Sequence, residues 1–124
     1  MAQTQTIQGG IYLVPDDKLV LLPRVIRQVL HDHRYFVVLS GDATNSQADW
    51  PTVSGCPISS QTTLKTRFDV KLAAGEGGVT KKCWVRIPAI QSIEKTDLRQ
   101  FTGTLDPAKL DQVDASLFDY LGQV

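Results

Sequence analysis

Short apolar stretches separated by turn-forming residues set the pattern of this chain. IQGGIYLV (residues 7–14) predicts a strand, with Gly9-Gly10 marking a bulge or a close approach. Pro15-Asp16-Asp17 predicts a turn. In KLVLLPRVIRQVL, Pro23 suits the first turn of a helix but not its interior. Residues 19–22 are therefore expected to be extended, and residues 24–30 to form a short helix with Val25, Ile26, Val29 and Leu30 on one face. YFVVL (35–39) is β-branched and aromatic, which predicts a buried strand. SGDATNSQADWP is dense in turn formers and predicts a loop. A strand over 52–58, interrupted by Gly55, is followed by polar residues 59–65, expected as loop. In RFDVKL (67–72), Phe68, Val70 and Leu72 alternate with polar residues, as in a half-buried strand. AAGEGG predicts a turn, and 83–87 a strand that Pro88 ends or places at an edge.

The tail carries the clearest helical signal. Asp106 suits the N-cap, Pro107 the first position and Gly122 the stop. Leu110, Val113, Leu117, Phe118 and Leu121 form one apolar stripe at helical spacing. A shorter helix is expected around 95–101. The sum is five or six short strands, one inserted helix and a C-terminal helix. That is a mainly β chain: a small, strongly bent barrel or sheet with helices packed on it.

A length of 124 residues suits one domain spanning 1–124, with a core of its own. No stretch approaches the run of about 18 apolar residues that spans a bilayer, and Met1–Gln8 lacks a signal-peptide pattern. The expected location is the cytoplasm, with no membrane partner. Cys56 and Cys83 lie in apolar runs and are expected to pack as small hydrophobes rather than to form a disulfide. They are 27 residues apart without a CxxC, and His31 and His33 are two apart, which argues against zinc.

Charge changes the picture more. The chain is neutral overall, with 13 basic and 13 acidic residues. Residues 65–93, however, hold Lys65, Arg67, Lys71, Lys81, Lys82 and Arg86 against Asp69 and Glu76, a balance of +4. A neutral chain with a basic middle can present one face to a polyanion; an evenly solvated surface is equally consistent with the charges alone.

GEGG at 75–78 lacks the spacing of a phosphate-binding loop and predicts a hairpin turn. No GxSxG, HExxH or paired-carboxylate signature is present. The one dense cluster is His31-Asp32-His33-Arg34. Imidazoles shuttle protons near neutral pH, and a guanidinium stabilises a phosphorane through paired hydrogen bonds. RNA supplies its own nucleophile, the 2′-hydroxyl. On composition alone the same residues read more readily as polar residues between a helix and a strand.

Several stretches, taken in order, resemble the MazF/PemK/Kid toxins of bacterial type II toxin–antitoxin systems. GGIYLV resembles the opening strand of that family, HRYFVVLSGDATN its HRPVLVLSP…N stretch, and CPISSQ its proline–threonine–glutamine segment. RFDVKL, GGVTKKCWVRIPAIQSIEKTDL and GTLDPAKLDQVDASLFDYLG resemble the later strands and closing helix. The resemblance implies an SH3-like β-barrel with a C-terminal helix, a homodimer and a cognate antitoxin. It also implies cleavage of single-stranded RNA to 2′,3′-cyclic phosphate and 5′-hydroxyl ends, with neither metal nor cofactor. By position, Arg34 resembles the family's active-site arginine and Ser59 its active-site threonine. Gln61 resembles a frequent neighbour, and Arg86 a groove arginine of some members. Ser60, Lys65, Arg67, Lys81 and Lys82 complete the expected substrate-binding set.

Three departures bear on activity. Tyr35 stands where the family has proline, and Pro88-Ala89 where it has an acidic position. Residues 15–33 replace the usual loop after the first strand. His33 or His31 is the expected substitute for the missing acid in proton transfer. The competing expectation is a binder that does not cleave, since the fold also resembles the gyrase inhibitor CcdB. A third is a bare oligomerisation domain.

Overall fold

The structure, a computed structural model, describes residues 6–21, 32–62 and 65–123. The helix expected over 24–30 lies outside the described residues, as does His31. The described residues form seven antiparallel strands: β1 (Gly10–Pro15), β2 (His33–Val38), β3 (Thr52–Ser59), β4 (Val70–Leu72), β5 (Cys83–Val85), β6 (Gln91–Glu94) and β7 (Gln100–Thr104). Their order is β4-β5-β3-β2-β1-β7, with β6 also paired to β3. A one-turn helix α1 (Asp42–Asn45) precedes β3, and α2 (Pro107–Tyr120) closes the chain.

The curl comes from β3. Its first half pairs with β6 and its last two residues with β5, while its middle pairs with β2. At Gly55 a side chain would run into the Val37 carbonyl, so glycine permits the close crossing of β2 and β3. Two apolar clusters fill the two sides of the sheet. Ile11, Val37, Cys56, Ile58, Val70, Leu72 and Val85 face α2, which contributes Val113 and Leu117. Tyr12, Val14, Phe36, Val38, Val53 and Ile93 make the other cluster, closed by Leu19 and Leu98. Both cysteines are free and buried in the first cluster. Burial pushes the Cys56 thiol up to about 12 and the Cys83 thiol up to about 11, so both pack as neutral hydrophobes.

The C-terminal helix starts and stops where expected. The Asp106 carboxylate accepts from the Lys109 amide at 2.8 Å, and Gly122 takes a positive φ of 75°. Its stripe is only half used: Val113 and Leu117 are buried, whereas Phe118 and Leu121 are about half exposed. No helix among the described residues is long and apolar enough to cross a membrane.

Other expectations need correction. Residues 40–51 are not all loop, because α1 folds there. Asn45 is buried and bonds Ser40, and the Lys95 ammonium donates to the Asn45 and Gln47 carbonyls. The helix expected over 95–101 is a 3-10 turn (Lys95–Asp97) leading into β7. The strand expected over 67–72 is cut to Val70–Leu72. Asp69 takes the chain out of the ladder by accepting hydrogen bonds from Thr66 and from the Ile87 amide.

Candidate functional site

Paired residues in a sheet share a face, and register therefore decides what Arg34 meets. Phe36 pairs with Pro57 and Val37 with Cys56. Extending that register by two residues sets Arg34 opposite Ser59, at the last residue of β3. Ser59 in turn pairs with Trp84, and Trp84 with Lys71. On the other side Arg34 pairs with Val14. Lys71, Trp84, Ser59 and Arg34 thus form one row across four strands, on the face that carries Phe36 and Val38. The apolar cluster ends at this row, and polar and charged groups replace it.

Arg34 is held from β1. Its Nε donates to Asp16 Oδ1 at 2.8 Å, and the side chains are 11% and 3% exposed. Asp16 sits in the turn directly after β1, where its amide also donates to the Asp32 carbonyl at 3.1 Å. The hairpin partners Pro15 and His33 bring this about. The ion pair fixes the guanidinium by its Nε edge against Asp16. In the sequence Asp16 shows only as part of a turn. The signal that points to it is the hairpin register: an acid just past the strand end, beside the strand that carries Arg34.

Ser59 is buried at the strand end, and its Oγ accepts from the Gln61 amide at 3.1 Å. That leaves the hydroxyl hydrogen to donate elsewhere. Ser60 and Gln61 are exposed next to it. His33 is exposed at the start of β2, and strand alternation puts it on the opposite face from Arg34. The fold therefore separates the imidazole from the Arg34–Ser59 row.

The basic residues fall into two groups. Lys65, Lys81 and Lys82 are exposed, and the Lys65 and Lys82 ammoniums lie 5.2 and 5.8 Å from the Trp84 ring centroid. Arg67 is also exposed and stacks over Phe68, with Cζ 4.5 Å from the ring centroid. Arg86 differs. Its Nε lies 2.9 Å from the fully buried Asp69 carboxylate, which also accepts the Thr66 and Ile87 hydrogen bonds. Arg86 is thereby tied into the junction of β4 and β5.

Comparison with known proteins bears on the fold and the family. No curated protein matches the chain by sequence. Its fold is similar to that of an endoribonuclease from a mycobacterial species, solved in complex with its cognate antitoxin: 17% identity, 97% of this chain and 96% of that one, TM-score 0.67. It is similar also to MazF in the MazE-MazF structure from Deinococcus radiodurans, at 20% identity over 97% and 98% of the two chains and a TM-score of 0.70. The Mycobacterium tuberculosis toxin MazF-mt6 is 17% identical over 91% and 96%, with a TM-score of 0.68. Residues 8–121 match the family described as PemK-like, MazF-like toxin of type II toxin-antitoxin system. The chain belongs to that family.

Proposed function

We propose that this toxin is a metal-independent endoribonuclease that cuts single-stranded RNA at the Arg34–Ser59 row. The observation that carries the reading is the shared face: a guanidinium fixed by a buried carboxylate stands opposite a hydroxyl with a hydrogen to give. Both groups suit a phosphodiester. Arg34 offers its remaining N–H groups to the non-bridging oxygens, where charge grows in the phosphorane. Ser59 donates to the same phosphate and sets its orientation.

The RNA 2′-oxygen then attacks phosphorus. The new 2′-O–P bond forms as the P–O5′ bond breaks, leaving a 2′,3′-cyclic phosphate and a 5′-hydroxyl. One proton leaves the 2′-hydroxyl and one reaches the departing 5′-oxygen. His33, expected for one of these transfers, lies at the first residue of β2 on the face opposite Arg34, so neither transfer is assigned to it, although general acid–base help of this kind is worth about 10²–10⁴-fold. Ser60, Gln61, Lys65, Arg67, Lys81, Lys82 and Arg86 belong to the RNA-facing set in this reading, with Arg86 acting through its hold on the β4–β5 junction. We place the protein in the cytoplasm as a homodimer neutralised by a cognate antitoxin; the similar endoribonuclease solved in complex with its own antitoxin supports the last of these.

The test is cleavage of a mixed-sequence RNA in EDTA, with the product ends identified by mass spectrometry. Cyclic-phosphate ends that vanish in a folded Arg34→Lys variant support the proposal, because lysine keeps the charge and loses the planar fork. Binding without any cut, or arrest of gyrase, selects the CcdB-like reading instead.

A further inference from the structure

Trp84 is 6% exposed, yet it belongs to neither apolar cluster. It sits in the row, paired with Ser59 on one side and Lys71 on the other. Among the described residues, the Lys65 and Lys82 ammoniums stand over its ring, at 5.2 and 5.8 Å from the centroid. Both lysines are exposed residues, one in the loop after β3 and one just before β5. An indole covered by two solvent-facing cations is an unusual use of the largest apolar side chain. Burial is served equally well by packing into either cluster. At about 5 Å per strand, Trp84 lies roughly 10 Å from Arg34 across the sheet, with Ser59 between them.

We infer that Trp84, Lys65 and Lys82 form a nucleobase subsite for a nucleotide next to the phosphate held at Arg34 and Ser59. The inference rests on the RNA-binding reading above. A base has a π-face of its own and competes with an ammonium for the indole. A phosphate competes with the indole for the ammonium. One nucleotide brings both, so each lysine swings from ring to phosphate as the base takes its place. The exchange keeps every cation partnered in the free and bound states. It also makes the platform blind to ligands that carry a phosphate but no base.

The chain has two tryptophans, and the other, Trp50, is about half exposed in the segment before β3. In Trp50→Phe protein, emission reports Trp84 alone. The probe is a fluorophore-labelled single-stranded oligonucleotide with 2′-O-methyl sugars, which binds without supplying a nucleophile. Saturation is expected to quench Trp84, while inorganic phosphate and an abasic oligonucleotide leave its emission unchanged. Lys65→Gln with Lys82→Gln should lower the slope of log Kd against log salt by about 1.4, at about 0.7 per phosphate contact to a single strand. Trp84→Leu in a folded variant should weaken binding about tenfold.

Unchanged Trp84 emission while anisotropy reports saturation overturns the subsite and leaves the nuclease reading standing. Quenching and a lysine-dependent salt slope, with no cleavage of unmodified RNA, support the subsite and overturn cleavage instead. Absence of binding overturns both. The quenching measurement leaves Trp84 in place, so a folding defect at that position does not blunt the test.

Discussion

Removing Arg34, the obvious way to silence the site, is expected to destabilise the fold as well. Its Nε is 2.8 Å from Asp16 Oδ1, and the two side chains are 11% and 3% exposed. Taking one partner from a buried ion pair strips the other of that counter-charge, which costs about 3–5 kcal/mol. Against a total stability of roughly 5–15 kcal/mol this is a large fraction. With a urea m-value of about 2 kcal/mol/M, a loss of about 3 kcal/mol moves the midpoint down by about 1.5 M. Arg34→Ala and Asp16→Ala should each show a shift of that size. The double variant leaves no orphan charge, so its loss should fall short of the sum of the singles by at least about 2 kcal/mol. Urea melts followed by far-ultraviolet circular dichroism measure all three, and activity at a temperature where each is folded separates chemistry from unfolding. Additivity within about 0.5 kcal/mol would falsify the claim that Asp16 holds Arg34.

Two further outcomes follow from the fold. Gly55→Ala should lower the melting temperature by several degrees, because its methyl group meets the Val37 carbonyl and overpacking costs about 1–3 kcal/mol; an unaltered melting temperature contradicts the close crossing of β2 and β3. Burial first and the neighbouring Asp111 second raise the Asp114 carboxyl above the ordinary aspartate range. The folded state then holds that proton more tightly than the unfolded chain, so the ionised form is penalised above the raised value and the penalty is lost as pH falls below the ordinary one. Asp114→Asn should therefore stabilise at neutral pH, by up to about 0.5 kcal/mol, and the gain should vanish in acid; a gain independent of pH contradicts this.

Where the sequence signal was local, the structure followed it. Asp106, Pro107 and Gly122 mark the ends of α2 by chemistry confined to a few residues. The runs around Phe36 and Cys56 are strands because both faces are buried, which leaves continuous apolar sequence. β6 and β7 carried no such signal. Ile93 is the only buried residue of β6, and β7, paired only with β1, buries none fully. Their alternation is too weak to set against the helix-like spacing of 95–101. Phe101 shows the cost to a pattern-based reading: it lies against Tyr12 at 5.4 Å between ring centroids, yet stays about two-fifths exposed.

The candidate site divides in the same way. Arg34 and Ser59 were legible because each ends a stretch with a recognisable place in the order of strands. Their partners were not. Asp16 reaches Arg34 because β1 and β2 pair although many residues separate them in the chain. Asp69 binds Arg86 because β4 and β5 pair across the glycine-rich turn. Trp84 reads in sequence as one more apolar residue of a strand, and only the registers of β5 with β3 and β4 put it beside Ser59. The sequence by itself determined the identities of the strands that bury both faces, the ends of the last helix and the residues offered for chemistry. Register decided which of them share a face, because a shift of one residue turns every side chain of a strand to the other side of the sheet.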